Sequence, residues 1–323
     1  MQLFERDMLV KSLPLYLESF EGIPNQQVRG YLESYQLLGA VTCTAYKIGR
    51  ILLDGNWVTL QSFSQKENKA AKGTVIILHG YMDHIGLYSH LIERLLADGL
   101  DVVCYDLSGH GLSDGDPLLV DDFKHYGLQL AELIKKLSRS FASPLHMIGQ
   151  STGAAVIMAQ QLLSPSSALL EVGERILLAP LVRPSLWRSI QQRFRWFKYV
   201  IKRVPRRYSY NSHDESFIRF ITEHDPLQHK HIPVRWVGAM LAWGDWIEQH
   251  KPVFGRIYMI QGTDDATVDW RHNMQVLGRL YPDLDLTLIK GAKHHLVNES
   301  VFYRDQVLGR VIEILNGREN KNG

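Results

Sequence analysis

From residue 71 onward, short apolar runs alternate with longer segments whose apolar residues recur three or four apart. The runs are too short for ordinary helices and the intervening segments too long for turns. Such a chain is predicted to form repeated β–α–β units, an α/β fold with helices flanking a mostly parallel central sheet. The runs fall at 74–78, 101–105, 145–148, 175–178, 256–260 and 284–289, and helices are predicted over 85–97, 122–137, 152–163, 270–280 and 301–315. Residues 45–63 read as two strands around Asp54-Gly55-Asn56, and Asp-Gly is a strong hairpin signal, so an antiparallel edge is expected ahead of the parallel sheet. Residues 181–246 interrupt the rhythm with a helical pattern rich in aromatics and histidines, and are expected to form a cap beside the sheet. The predicted organisation is an N-terminal extension (1–44), a core (45–180 and 247–315), the cap (181–246) and a polar tail (316–323).

A chain of 323 residues with 45% hydrophobic content can bury a full core. No period of 20–50 residues repeats, which removes the solenoid classes. No run of 18 apolar residues occurs, so no transmembrane helix is expected. The first 20 residues mix acids into every apolar run, unlike a secretory signal. Cys43 and Cys104 lie far apart without C-x-x-C spacing, against a disulfide framework or a thiolate metal site, and a reducing, cytoplasmic setting is expected.

Gly149-Gln150-Ser151-Thr152-Gly153 follows one apolar run and opens a small-residue helix, the context of a G-x-S-x-G nucleophile elbow. Flanking glycines leave room for the sharp turn that exposes the serine hydroxyl. That hydroxyl needs a histidine to take its proton and a carboxylate to hold the histidine's tautomer. Two later loops, each just past a predicted strand, offer them: Gly262-Thr263-Asp264-Asp265-Ala266-Thr267-Val268-Asp269, and Gly291-Ala292-Lys293-His294-His295. Both sit where open α/β sheets place their sites. A serine in the elbow disfavours the dehalogenase and epoxide hydrolase chemistries, which use an aspartate there.

Together with His79-Gly80-Tyr81-Met82-Asp83-His84 and the glycine-rich stretch 106–115, these motifs give the sequence, over about 45–315, a resemblance to the α/β-hydrolase superfamily. Within it the chain resembles the monoacylglycerol lipase and lysophospholipase branch of serine hydrolases. The resemblance implies an α/β-hydrolase fold with a helical cap insertion. It also implies Ser151 as nucleophile, Asp265 as the orienting acid in G-x-x-D-x-x-V, and His294 as the base in G-A-x-H, with Asp264, Asp269 and His295 as neighbouring alternatives. The backbone N–H groups of Tyr81 and Thr152 are implied as oxyanion donors. His79 and His84 are expected to brace their loop. Ser108 stands where relatives carry a larger polar residue.

Lys and Arg total 36 against 34 Asp and Glu, a net charge of +2 that excludes a strongly basic nucleic-acid binder as the default reading. Residues 181–210, however, hold nine basic residues (Arg183, Arg188, Arg193, Arg195, Lys198, Lys202, Arg203, Arg206 and Arg207) and no acid, leaving 27 against 34 elsewhere. Leu186, Ile190, Phe194, Phe197, Ile201 and Val204 are spaced as one face of a helix, so a basic amphipathic cap helix is predicted. It could dock on an anionic membrane or close over the pocket with a solvated basic face. His213, His224, His229 and His231 lack companion carboxylates at ligand spacing, and neither metal nor cofactor is expected.

The expected activity is release of a fatty acid from a single-chain lipid, a monoacylglycerol or a lysophospholipid, through an acyl-enzyme. A soluble carboxylesterase or thioesterase for small acyl groups is the alternative, and a catalytically silent binding protein on the same fold is a third reading.

Overall fold

The computed structural model, which describes residues 3–66, 69–140, 142–164, 172–206 and 209–317, begins its sheet with the hairpin signalled by Asp54-Gly55. Both turn residues have positive φ (45° and 74°), the twist that joins two antiparallel strands without splaying them. In chain order the strands are β1 (Ala45–Leu53), β2 (Asn56–Ser64), β3 (Thr74–Leu78), β4 (Asp101–Tyr105), β5 (Leu145–Gln150), β6 (Val172–Leu178), β7 (Arg203–Pro205), β8 (His231–Pro233), β9 (Ile257–Gly262) and β10 (Leu284–Ile289). The main sheet has the order β1-β2-β4-β3-β5-β6-β9-β10, and β7 and β8 form a separate ribbon. Strand β2 is antiparallel to β1 and β4, and the remaining neighbours are parallel. The α/β-hydrolase fold is thus present with its antiparallel edge.

The helices are α1 (Arg6–Ser12), α2 (Gln26–Ser34), α3 (Leu38–Cys43), α4 (Ser89–Ala97), α5 (Phe123–Leu137), α6 (Thr152–Leu163), α7 (Trp187–Phe197), α8 (Glu215–Arg219), α9 (Val234–Glu248), α10 (Trp270–Leu280) and α11 (Val301–Leu315). Both faces of the sheet are covered, so its inner strands are apolar at successive positions rather than at alternate ones. Along β3, Val75 and Ile77 join the core under α2, α4 and α11, while Ile76 and Leu78 join that under α5, α6 and α10. Residues 1–44, as far as described, contribute α1 to α3 to the first face. Arg6 fastens them by donating to the carbonyls of Gly111 (2.7 Å) and Ser113 (2.8 Å).

Some boundaries differ from the predicted ones. Residues 85–88 form a 3-10 turn before α4, and β5, β6 and β9 run past the predicted apolar runs because pairing with neighbours continues into small and polar residues. Helix α9 extends to Glu248, beyond the expected cap boundary, because Trp243 and Ile247 continue its buried face. The stripe from Leu186 to Val204 is not one helix: α7 stops at Phe197, and Val204 pairs with Ile232 in the β7–β8 ribbon. Val200, Ile201 and Val204 are β-branched and Pro205 follows, a combination that resists helix and suits a strand. Arg207 and residues 318–323 of the tail lie outside the described residues.

Helices α5 and α6 approach so closely that a Cβ on Gly127 would lie 2.8 Å from the Ala159 backbone, whereas one on Gly278 in α10 would meet nothing within 4 Å. Alanine is favoured over glycine in a helix by up to about 1 kcal/mol, and overpacking costs about 1–3 kcal/mol. Urea denaturation should therefore show Gly278→Ala stabilised by about 0.5–1 kcal/mol and Gly127→Ala destabilised by about 1–2 kcal/mol.

Candidate active site

A parallel strand ends at the same rim as its neighbours, and β3, β5, β9 and β10 deliver four loops to that rim. Ser151 sits between β5 and α6 with φ 53° and ψ −108°, a conformation side chains rarely adopt. The turn is closed by contact on both sides. A Cβ on Gly149 would fall 2.4 Å from the Gly153 carbonyl group, and one on Gly153 would fall 2.1 Å from the Leu78 oxygen. The Ser151 N–H donates to the Leu178 carbonyl at 2.8 Å, which anchors the turn to β6. Thr152 is the first residue of α6, so its N–H has no carbonyl one turn earlier to bind.

The two downstream loops meet beside it. His294 Nδ1 lies 2.7 Å from Asp265 Oδ2, with both side chains buried. Asp265 Oδ1 accepts from the N–H groups of Thr267 (2.8 Å) and Val268 (3.1 Å), and Oδ2 also accepts from Gln261 Nε2 (3.0 Å). Burial alone would raise this carboxyl's pKa, but His294 and the converging donors outweigh it and hold the group below its ordinary value. Burial likewise works against a charged His294, and the Asp265 carboxylate reverses that, leaving the imidazole raised above 6.5. The Gln150 amide donates to the His294 carbonyl at 2.9 Å, tying the serine turn to the histidine loop.

The neighbouring alternatives are placed elsewhere. Asp264 is exposed, Asp269 caps α10 by accepting from His272 N–H (3.3 Å), and His295 Nε2 pairs with Asp83 Oδ1 (3.1 Å). Ser151, Thr152, Tyr81 and His294 all border one cavity of about 790 Å³. Its far wall comes from the segment between β6 and β9. All six residues of the apolar stripe line it, even though the stripe is only partly helical, and α9 adds Trp236, Val237 and Met240. Trp236 stacks on the Tyr81 ring at 3.5 Å and 12°, so α9 bears directly on the loop after β3. Among the described residues, Arg193 and Arg206 are the cations of this wall.

The sequence pointed to His84 as a brace of its loop but not to the buried partners it meets. Asp225, at the end of the five-residue helical turn Phe220–His224, accepts from Oη of Tyr35, the residue that follows α2 (2.6 Å), and lies 3.0 Å from His84 Nε2. His84 thus braces its loop against the cap segment and the N-terminal helices at once. These partners are 190 and 141 positions apart, and no local pattern announces such pairings. The one available signal was an acid and a histidine, Asp83-His84, in a loop otherwise built of small and apolar residues.

The family model described as serine aminopeptidase, S33, matches residues 69–301. A monoglyceride lipase homolog from Monkeypox virus is 24% identical over 248 residues, covering 74% of this chain and 88% of the relative. Human monoglyceride lipase is 26% identical over 125 residues, 36% of this chain and 38% of that protein. Among solved structures, a soluble variant of the Saccharomyces cerevisiae monoglyceride lipase bound to a substrate analog superposes with a TM-score of 0.70 at 16% identity, over 83% of this chain and 94% of that one. The Paleococcus ferrophilus monoacylglycerol lipase superposes at 0.67 and 17%, over 80% and 98%. The matched segment starts before β3 and ends at the first residue of α11, so it contains the elbow and both downstream loops. The chain therefore belongs to the serine aminopeptidase S33 family, and its fold is that of the α/β-hydrolases.

Proposed function

We propose that this protein hydrolyses the ester of a single-chain lipid, a monoacylglycerol first of all, through an acyl-enzyme on Ser151. The observation that carries the reading is the convergence of Ser151 and the His294–Asp265 pair on one cavity with a largely apolar wall. Ser151 Oγ attacks the ester carbonyl as His294 Nε2 takes its proton, and Asp265 holds the Nδ1 proton and stabilises the imidazolium. The backbone N–H groups of Tyr81 and Thr152 receive the oxyanion. His294 then protonates the departing alcohol, and a water deprotonated by His294 releases the fatty acid and restores Ser151. The apolar wall suits an acyl chain, and the relatives named as monoglyceride lipases support the glycerol ester. Arg193 and Arg206 favour a second reading, a lysophospholipid, because two guanidinium groups on the cavity wall complement a phosphate.

A lipid panel with wild type and Ser151→Ala tests this. Wild type should release fatty acid from monoacylglycerol, with lysophospholipid turnover deciding the second reading, and Ser151→Ala should lose more than about a thousandfold in kcat. Equal activity in the two would overturn the mechanism. A p-nitrophenyl ester profile peaking at short acyl groups without lipid turnover would indicate a small-ester esterase. Failure of a fluorophosphonate to label the wild type would indicate a silent binding protein.

Only neutral His294 can accept the serine proton. Because its pKa is raised, the neutral fraction is lost at a higher pH than for an ordinary histidine, and kcat/KM on a soluble ester should fall through an acid limb centred above 6.5. A limb centred below that value would contradict the Asp265 pairing.

Residues 181–248 act in this reading as a cap that meets the membrane from a cytoplasmic location. Trp196, Tyr199 and Val200 are 76%, 86% and 81% exposed beside the exposed Arg195, Lys198 and Lys202, an amphipathic surface at the end of α7. Among the described residues no helix is long and apolar enough to cross a membrane, so the contact proposed is peripheral. At about 1 kcal/mol per basic residue near an anionic surface, adsorption should be reversible and sensitive to salt. Co-sedimentation at low salt should favour anionic over neutral vesicles, and no preference would exclude this role.

A further inference from the structure

The loop after β3 places two acid–imidazole pairs on consecutive residues, pointing to different parts of the molecule. His84 reaches Asp225, while Asp83 reaches His295, the residue next to His294. Asp83 is nearly enclosed, its side chain 11% exposed and that of His295 4%. Its Oδ1 lies 3.1 Å from His295 Nε2, and its Oδ2 accepts from Tyr88 Oη at 3.1 Å. Tyr88 Oη in turn accepts from the Gly80 N–H at 3.0 Å, within the turn that presents Tyr81. On the other side of the imidazole, Asn298 Nδ2 reaches toward His295 Nδ1 at 3.5 Å and donates to the Leu87 carbonyl at 2.8 Å. An amide N–H beside Nδ1 leaves Nε2 as the nitrogen whose proton Asp83 accepts. The His295 backbone N–H is also fixed, by the Asn211 carbonyl at 2.8 Å.

We propose that Asp83 and His295 are positioning residues for hydrolysis: their hydrogen bond locks the loop carrying His294 to the loop carrying Tyr81. The same contact keeps a second carboxylate within reach of the imidazolium that His294 becomes in the transition state. This inference rests on the reading of Ser151, His294 and Asp265 as the hydrolytic site. Acyl transfer needs the base and the oxyanion donor at fixed separation from one carbonyl carbon, and a displacement of about 1 Å can cost about a hundredfold in rate. The two groups come from loops after β3 and β10, which are not adjacent strands, so backbone pairing within the sheet does not fix that separation. The Asp83–His295 bond spans 212 positions and joins them directly.

The titratable groups facing His294 are Asp265 and Asp83, and those facing Asp83 are His295, His79, Tyr88, His84 and His110. Burial opposes ionisation of Asp83, but His295 overcomes it and holds the carboxyl well below the usual range, so the second anion is present throughout the working pH. Removing it leaves His294 with Asp265 alone and lowers the pH at which the imidazole charges.

The test compares Asp83→Asn, His295→Ala and His295→Gln on a soluble p-nitrophenyl ester. His295→Ala, which removes the hydrogen bond, should lose about 10–100-fold in kcat with KM within about twofold, since positioning and not binding is lost, whereas Asp83→Asn keeps an acceptor oxygen for Nε2 and should lose less. Asp83→Asn should also shift the acid limb of kcat/KM to lower pH. His295→Gln, whose amide can still donate to Asp83, should recover most of the lost kcat. A folded His295→Ala with wild-type kcat, or a folded Asp83→Asn with an unmoved acid limb, would overturn the inference. If Asp83→Asn does not fold, the histidine pair decides: rescue by His295→Gln upholds the inference, and equal damage in the two overturns it. Fluorophosphonate labelling separates this from the underlying reading. An unlabelled wild type would reject the hydrolytic site itself, whereas a labelled wild type with unaffected variants would reject only the positioning role.

Discussion

The backbone of Ser151 is held where a side chain is disfavoured, and everything about the rim follows from how that turn is enforced. Gly149 and Gly153 touch each other across it, Gly153 touches the end of β3, and Ser151 N–H is bound to β6. The strained turn is therefore over-determined by the central strands of the sheet, the part of the molecule with least freedom to relax. Strain of about 1–3 kcal/mol at such a residue persists only when the surroundings leave no alternative. Because the neighbouring strands are parallel, the same rim receives the loops after β3, β9 and β10, which bring the Tyr81 backbone, Asp265 and His294 to the serine. That is the set on which the proposed acyl transfer calls.

What the sequence made legible was whatever is encoded over a few residues. Strands β3, β4 and β10 and helices α6, α10 and α11 have the predicted limits because an apolar run, an apolar–polar alternation in β10, or a helical pattern sets them locally. The hairpin was readable because Asp54-Gly55 tolerates positive φ at both positions. The elbow was readable because glycine is required on both sides of one serine. Choosing Asp265 over Asp264, or His294 over His295, needed a resemblance to known motifs, since adjacent residues of the same type have no local difference. In the structure they differ completely: one of each pair is buried against the other's partner, and the remaining two face solvent or Asp83.

The cap segment illustrates the opposite case. Its apolar spacing was correct as a statement of which residues share a surface, yet wrong as a statement of helix, because β-branched residues after Phe197 turn the chain into the β7–β8 ribbon. The six stripe residues line the cavity in both descriptions. What the spacing encodes is a shared cavity wall, reached by a helix up to Phe197 and by a strand at Val204. Charge follows a similar division: the near-neutral whole conceals a basic segment whose Arg193 and Arg206 border the cavity while Arg195, Lys198 and Lys202 stay outside. One stretch of chain thus presents an apolar lining inward and an amphipathic basic surface outward.

The buried acid–imidazole pairs are the least legible feature and the hardest to explain by stability. A buried ion pair often contributes no more than apolar residues of the same shape would, because desolvation offsets the attraction. Three such pairs nevertheless gather around one rim: Asp265 with His294, Asp83 with His295, and Asp225 with His84. Apolar substitutes could fill the same space, but they would slide. A hydrogen-bonded pair has one length and one direction, and breaking it leaves an uncompensated charge, so it specifies relative position more sharply than packing does. Two of the three join segments that the sheet does not register against one another: the His294 loop to the Tyr81 loop, and the segment between β6 and β9 to the loop after β3 and, through Tyr35, to the end of α2. Those two bridge what backbone pairing leaves free, whereas Asp265 and His294 carry the pairing of β9 with β10 on into their loops.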